Sequence, residues 1–242
     1  DRNALALQLR YSYIPSPHSI YKGIKKLKAG SIIRFSLNKL NVSQAKLNQP
    51  KSYWSLQDIV MDSINNIYMG ESKEAIKDLS NLLNKSVQDQ MVADVSLGAF
   101  LSGGVDSSLI VSIMQSHSAL PVETFTIGFT EDSYNEAVFS KKIANHLGTK
   151  HTELYVSPND AISVIDKLPE IYDEPFSDSS QIPTYLVSKM TKKNVSVSLS
   201  GDAGDELFGG YNRYLWTRRI WDRIKFLPSP LRKAIAIGMS SI

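Results

Sequence analysis

Apolar positions recur along this chain with two periods, and the places where one gives way to the other lay out most of its architecture. Leu79, Leu83, Val87 and Met91 stand four apart, which predicts a helix from Ser72 with a packing stripe along one face. From there strand-like and helix-like runs alternate: strand over 95–101, helix over 107–117, strand over 122–129, helix over 134–147, strand over 151–156. Such alternation predicts an α/β domain, a parallel sheet with helices on both faces. In the 134–147 helix, Ser133 and Glu136 have capping-box spacing, Phe139, Ile143 and Leu147 form an apolar face, and Gly148 is a terminator. After Pro158 a helix is predicted to about Tyr172, then a polar loop over 173–180, a helix over 182–192 and a short apolar strand from Val197. A helix over 211–226 sets Trp216, Ile220, Trp221 and Ile224 against five basic residues, which reads as a core-packed helix with a charged outer face; Pro228 and Pro230 end it ahead of another helix.

The first segment reads differently. Pro15, Pro17, Gly23 and Gly30 punctuate it, and Ile33–Leu37 alternates apolar and polar as a half-buried strand does, so residues 1–57 are expected to be β-rich and loop-rich. Tyr53–Trp54 marks a join, placing one domain over 1–57 and a second over 58–242. Lys22, Lys25, Lys26 and Lys28 in the first segment read as a solvated surface loop.

Candidate chemistry concentrates where two of the strands end. In Ala99-Phe-Leu-Ser-Gly-Gly-Val-Asp-Ser-Ser108 an apolar strand empties into two glycines, an acid and hydroxyls at the point where a helix starts. Glycines let the backbone turn its N–H groups inward, and the helix N-terminus adds its positive end, so the run reads as an anion cradle. Asp106 would repel a phosphate unless a divalent cation stood between them, and Mg²⁺ is bound through one or two carboxylates together with phosphate oxygens. An ordinary helix cap by Ser102 or Asp106 accounts for less of this six-residue pattern. The common nucleotide loop G-x-x-x-x-G-K-[ST] is absent, which disfavours kinase-type transfer. Val197–Tyr211 repeats the grammar: strand, Ser200-Gly201, then acids at the head of a helix, with Asp205 five residues after Ser200 as Asp106 stands four after Ser102. Parallel strands deliver their C-terminal ends to one sheet edge, where the two acids can meet at a topological switch point.

Composition permits this chemistry without selecting it. The 242 residues are 42% hydrophobic and 21% charged with a net charge of +3, too mild to announce nucleic acid. There is no cysteine, hence no disulfide framework, thiolate metal site or cysteine nucleophile. The four histidines lack metal-ligand spacing, and no apolar run approaches a membrane span. A start at Asp1 and a stop at Ile242 inside a helical run read as a piece of a longer protein.

The pairing of S-G-G-V-D-S-S with S-G-D-A-G-D-E-L-F-G-G-Y closely resembles the synthetase domain of glutamine-dependent asparagine synthetases, most strongly over about 93–214. Ala203 stands where many bacterial relatives have Gly, and Asp202 where other branches carry Glu. The resemblance implies an adenine nucleotide alpha hydrolase-like fold of the PP-loop ATP pyrophosphatases, with residues 1–57 as the tail of a glutaminase domain and the C-terminal helical part cut short. It implies ATP and pyrophosphate held by Leu101, Ser102, Gly103, Gly104, Asp106, Ser107, Ile127, Ser200 and Gly201, with the adenine near Ile127; Gly128 either admits the flat base or merely turns the strand end. Asp106 and Asp205 would bind Mg²⁺, and Asp202 would organise adenylation of the aspartate side chain. Ammonia from glutamine would then complete asparagine. The substrates are small molecules in the cytoplasm, with no nucleic acid or membrane partner, and a homodimer is compatible with the chain. The loop at Asp178 and Ser179 lies beside substrate in relatives, although plain N-cap chemistry explains those two residues. Related amidotransferases acting on another carboxylate, surface-polysaccharide or β-lactam-forming, share both loops. A tRNA-modifying pyrophosphatase shares only the first, and a non-catalytic nucleotide sensor would bind ATP without exchanging pyrophosphate.

Overall fold

In the computed structural model, which describes residues 1–35, 49–129 and 135–240, the chain forms two compact units, Asp1–Lys85 with Val156–Ser188, and Ser86–Tyr155 with Lys189–Ile242. These units do not follow the expected division at residue 57, which remains a proposal taken up below.

The first unit opens on a helix, α1 (Arg2–Tyr11), where a β-rich segment was expected. The Asp1 carboxylate accepts from the N–H groups of Asn3 and Ala4 at 2.8 and 3.2 Å, and Ala4 and Gln8, one turn apart, supply the buried face. This helix shows little apolar periodicity because its buried positions are few and one of them is polar. The Gln8 amide donates to the Ser12 carbonyl and to Ser177 Oγ. Strand content is limited to the two-residue β1 (Ser31–Ile32) and β2 (Lys51–Ser52), paired antiparallel. Of the strand expected over 33–37, residues 33–35 are not strand, and Ser36 and Leu37 lie outside the described residues. Lys26 departs from the solvated-loop reading: it pairs with Glu174 and donates to the Ile14 carbonyl. Helix α2 (Leu56–Asn65) follows, capped by Ser55, and α3 (Ser72–Gln90) is the predicted stripe helix, on which Val87 is buried, Leu83 half-buried and Leu79 exposed.

The second unit contains the alternation read from the sequence. The elements are β3 (Leu97–Phe100), α4 (Val105–Ser116), β4 (Glu123–Phe129), α5 (Ala137–Leu147) and β5 (Lys150–Val156). The chain then passes through α6 (Pro158–Ile165), α7 (Leu168–Tyr172) and α8 (Gln181–Thr191) to β6 (Val197–Leu199), α9 (Gly204–Phe208), α10 (Asn212–Ile224) and α11 (Ser229–Ser240). The single helix expected over 158–172 is broken after Ile165, and Pro169 takes a first-turn position of the second piece, where its missing N–H costs nothing.

The sheet order is β5-β4-β3-β6, with β3 parallel to both β4 and β6. The strand register sets Ala99 opposite Thr124 on one side and Leu199 on the other. Chain progression thus runs outward from β3 to β5, then returns to the far side of β3, and the switch point falls between β3 and β6. Ala99, Leu101, Val111, Met114 and Phe125 are essentially inaccessible and form the core of this unit. Helix α5 meets the sheet through Ala137, Ser140 and Ala144 rather than the expected Phe139 face, and Phe139 is 61% exposed. Small residues let the helix approach: Ser140 Oγ lies 3.2 Å from Thr126 Oγ1, a distance a large side chain would prevent. Ser133 lies outside the described residues, and Glu136 makes no side-chain cap. Helix α10 has no buried residue, against the expected core packing; its tryptophans lie under guanidinium groups, Trp216 under Arg219 and Trp221 under Arg232. Among the described residues no helix is long and apolar enough to cross a membrane.

His151, at the start of β5, has Nδ1 2.9 Å from Thr124 Oγ1, while Nε2 is buried without a partner. Burial pushes its pKa below the usual 6.5, with Lys141 adding to the effect and Glu153 opposing it. The folded state therefore holds a neutral imidazole that the unfolded chain protonates first, so stability falls as pH drops below about 6.5 and levels off below the folded pKa. Denaturation midpoints measured between pH 7 and 5 are expected to decline in the native protein and to decline less steeply in His151→Gln.

Candidate functional site

Two loops meet at the C-terminal edge of the sheet, one after β3 and one after β6. In the first, the Leu101 N–H donates to the Phe125 carbonyl at 2.9 Å, holding the chain on the sheet until it turns. Gly103 makes the turn with φ +83°, a conformation open to glycine and strained for other residues. Ser107, nearly buried, reaches back across the turn: its Oγ accepts from the Ser102 N–H at 3.2 Å and lies 2.9 Å from Ser102 Oγ. Helix α4 then starts on Gly104, with no side-chain cap on its first turn. The Ser102 hydroxyl accepts from the Gly104 N–H at 3.4 Å, but no side chain caps the turn that follows, so the first-turn donors of this twelve-residue helix are open to an anion.

The second loop is built to come close to the first. A Cβ on Gly201 would lie 2.7 Å from the Ser107 nitrogen, and one on Gly204 would lie 2.5 Å from Asp106 Cγ. The Asp106 carboxyl therefore rests against the residue that precedes Asp205. Ser200 Oγ donates to Asp202 Oδ2 at 3.0 Å, Ala203 turns the chain with φ +73°, and α9 begins. The end of α9 is fastened in turn: the Gly210 N–H donates to the Asp205 carbonyl at 3.0 Å, and the Tyr211 hydroxyl donates to Glu206 Oε1 at 2.7 Å. That hydrogen bond draws the Glu206 carboxyl below its usual range and pushes the Tyr211 hydroxyl up to about 12.

Between the loops lies a cleft of about 500 Å³ lined by Ser102, Gly104, Asp106, Ser107, Ser200, Gly201, Asp202 and Asp205, together with Phe100, Val105 and Gly210. Eight of the residues singled out in the sequence are thus brought together. Leu101, Gly103 and Ile127 do not line the cleft: Leu101 is buried at the strand end, Gly103 forms the turn and Ile127 is half-buried in β4. Gly204, Gly210, Glu206 and Tyr211 escaped the sequence reading as site-builders, although all four belong to the quoted motif. The signal was their spacing, since residues 205 and 206 each meet the residue five positions later. Asp178 accepts from the Ser180 N–H at 2.8 Å, an Asx turn just ahead of α8 and not a cap on the helix itself.

Among the described residues no cluster of three His, Cys, Asp or Glu side chains could hold a metal unaided. Asp106 and Asp205 are half-buried carboxylates lining one cleft, and neither has an ion-pair partner among the described residues. That donor set suits a hard cation whose remaining ligands come from water and phosphate oxygens, as Mg²⁺ requires, and does not suit a self-sufficient protein cage.

Comparison with known proteins gives the following. The profile of a family described as asparagine synthase matches residues 78–240. A putative glutamine-hydrolysing asparagine synthetase 2 of Methanocaldococcus jannaschii is 41% identical over 96% of this chain and 42% of its own length. Glutamine-hydrolysing asparagine synthetase 1 of Bacillus subtilis is 32% identical over 88% of the chain and 32% of its length. The chain thus spans less than half the length of these curated relatives. Among solved structures, an NH3-dependent NAD synthetase from Campylobacter jejuni in complex with nitrate aligns with a TM-score of 0.40 and 13% identity, covering 56% of this chain and 60% of that one.

Ala203 carries strain that glycine would not. The left-handed conformation costs an L-residue about 1–2 kcal/mol, offset in part by the greater freedom glycine has in the unfolded chain. Ala203→Gly is expected to raise stability by roughly 0.5–1 kcal/mol in urea denaturation. Gly204→Ala is expected to lower it, because the added methyl group displaces the Asp106 carboxyl.

Proposed function

This chain belongs to the asparagine synthase family, and on that footing we propose that it carries the ATP-cleaving, carboxylate-adenylating site of a glutamine-dependent asparagine synthetase. The observation that carries the reading is the convergence of two acid-bearing loops on one cleft at the switch point of a parallel sheet, one of them opening an uncapped helix. Residues 1–57 are read as the tail of a glutaminase domain and 58–242 as the synthetase domain.

In this proposal the β and γ phosphates of ATP lie on Ser102, Gly103, Gly104, Ser107 and the first turn of α4. The main chain at Leu101 and at Ser200–Gly201 flanks the nucleotide, and the adenine lies against β4 at Ile127. Backbone N–H groups and a helix N-terminus suit this task because they neutralise charge without titrating and need no reorganisation as charge moves. Asp106 and Asp205 would hold Mg²⁺, which when bound would supply the further charge neutralisation that a polyphosphate beside carboxylates needs. An oxygen of the aspartate side-chain carboxylate attacks the α-phosphorus, the bond from that phosphorus to the bridging oxygen breaks, and pyrophosphate leaves. Positioning and charge neutralisation dominate such displacements, so no protein nucleophile is called for. Asp202, exposed at the cleft and held by Ser200, orients the reacting groups. Ammonia then attacks the β-aspartyl-AMP carbonyl, releasing AMP and leaving asparagine. The chain has no cysteine, so the hydrolysis of glutamine that supplies ammonia falls to other parts of the protein. A cytoplasmic location and small-molecule partners accompany this reading.

Asp106→Asn and Asp205→Asn, each made in the full-length protein, are expected to reduce aspartate-dependent pyrophosphate release by two orders of magnitude or more, about what loss of one essential charge-stabilising group costs. Near-native release from either variant overturns the shared-ion reading. Release driven by another carboxylate in preference to aspartate would shift the proposal to a related amidotransferase.

A further inference from the structure

We propose that Tyr211, acting through Glu206, is a positioning residue that fixes the Asp205 carboxylate for the shared cation; this rests on the site reading just given. Asp205 lies on α9, a helix of five residues with none buried, so packing against a core does not set where its side chain stands. Something local must do so.

Two adjacent rungs close the turn after α9. On the first, the Gly210 N–H donates to the Asp205 carbonyl at 3.0 Å, and Asp205 Oδ1 lies so near Gly210 that no Cβ could be accommodated there. On the second, the Tyr211 hydroxyl returns to Glu206 Oε1 at 2.7 Å. The acid next to Asp205 is therefore anchored by the residue next to Gly210, and this second rung braces the Asp205–Gly210 contact from its C-terminal side. The ring of Tyr211 is held in turn, with the Arg213 guanidinium 4.9 Å from its centroid and the Tyr214 ring 5.9 Å away.

The clamp has a second effect. Glu206 carries a charge one residue from a proposed cation ligand. Turned toward the cleft it would compete for the ion or repel the phosphates; bonded to Tyr211 it is kept aside. A neutral donor achieves this without bringing a competing positive charge, as a lysine in that place would.

The test uses the full-length protein and isothermal titration with α,β-methylene-ATP, a non-cleavable analogue, across a Mg²⁺ series and in EDTA. Tyr211→Phe is expected to weaken the apparent Mg²⁺ affinity roughly tenfold, the usual scale for loss of a group that orients a metal ligand, while metal-free nucleotide affinity and melting temperature stay near native. Glu206→Gln keeps an acceptor for the Tyr211 hydroxyl and is expected to lose less than Tyr211→Phe. An unchanged Mg²⁺ dependence in Tyr211→Phe overturns the positioning role. Equal losses with and without Mg²⁺ also overturn it, because they report general damage to the fold. Native protein that binds the analogue equally in Mg²⁺ and EDTA overturns the site reading itself, an outcome distinct from the other two.

Discussion

The close approach of one backbone turn to another sets everything else in this site. The loop after β6 lies against the loop after β3 so tightly that a Cβ on Gly201 would come within 2.7 Å of the Ser107 nitrogen and one on Gly204 within 2.5 Å of Asp106 Cγ. That contact exists because β6 pairs with β3 and not with β5, the strand that precedes it in the sheet-forming series. Had the chain continued outward, the second acid-bearing loop would sit at the far edge of the sheet. The return to β3 converts two separate strand ends into the walls of one cleft, and glycine at both points of contact is what allows the walls to meet.

The same closeness creates an electrostatic problem. Asp106, Asp202 and Asp205 line one cleft without an ion-pair partner among the described residues, while the uncapped start of α4 offsets part of their charge. Like charges brought together in this way destabilise the free protein. Sites that break the local rules of stable folding in this manner are where function tends to reside. A polyphosphate by itself would worsen the repulsion on the acid side of the cleft and relieve it on the helix side; a polyphosphate carrying a divalent cation relieves both. Charge balance, more than any single hydrogen bond, supports the proposed ligand.

What could be read in advance followed from local chemistry. The alternation from Leu97 to Val156 is visible in the sequence because short apolar strand runs there are separated by longer helical runs and bounded by glycines and polar turns. The helix after Gly104 and the turn at Gly103 are visible because few residue types tolerate such backbone. The misses have equally physical causes. Helix α1 hides its period behind a buried Gln8. On α5 the buried face consists of small residues, Ala137, Ser140 and Ala144, which hydrophobicity ranks below Phe139 although they are what allows close packing. Trp216 and Trp221 look like core residues by type, yet on α10 they serve as platforms for guanidinium groups. In each case the quantity that mattered was the shape of a neighbour, which no residue carries in its own side chain.

By itself the sequence determined the two loops: a strand, a Ser-Gly step, an acid and a helix start, twice over, because backbone freedom and helix initiation are local matters settled within a few residues. It also determined that both would emerge at the same edge of a parallel sheet. Only the tertiary structure decided that they touch. The strand order that places β6 beside β3, the pressing of Asp106 onto Gly204, and the clamp of Tyr211 on Glu206 all depend on distances between groups the chain brings together through packing, and packing energy belongs to pairs of surfaces, which a linear pattern does not contain.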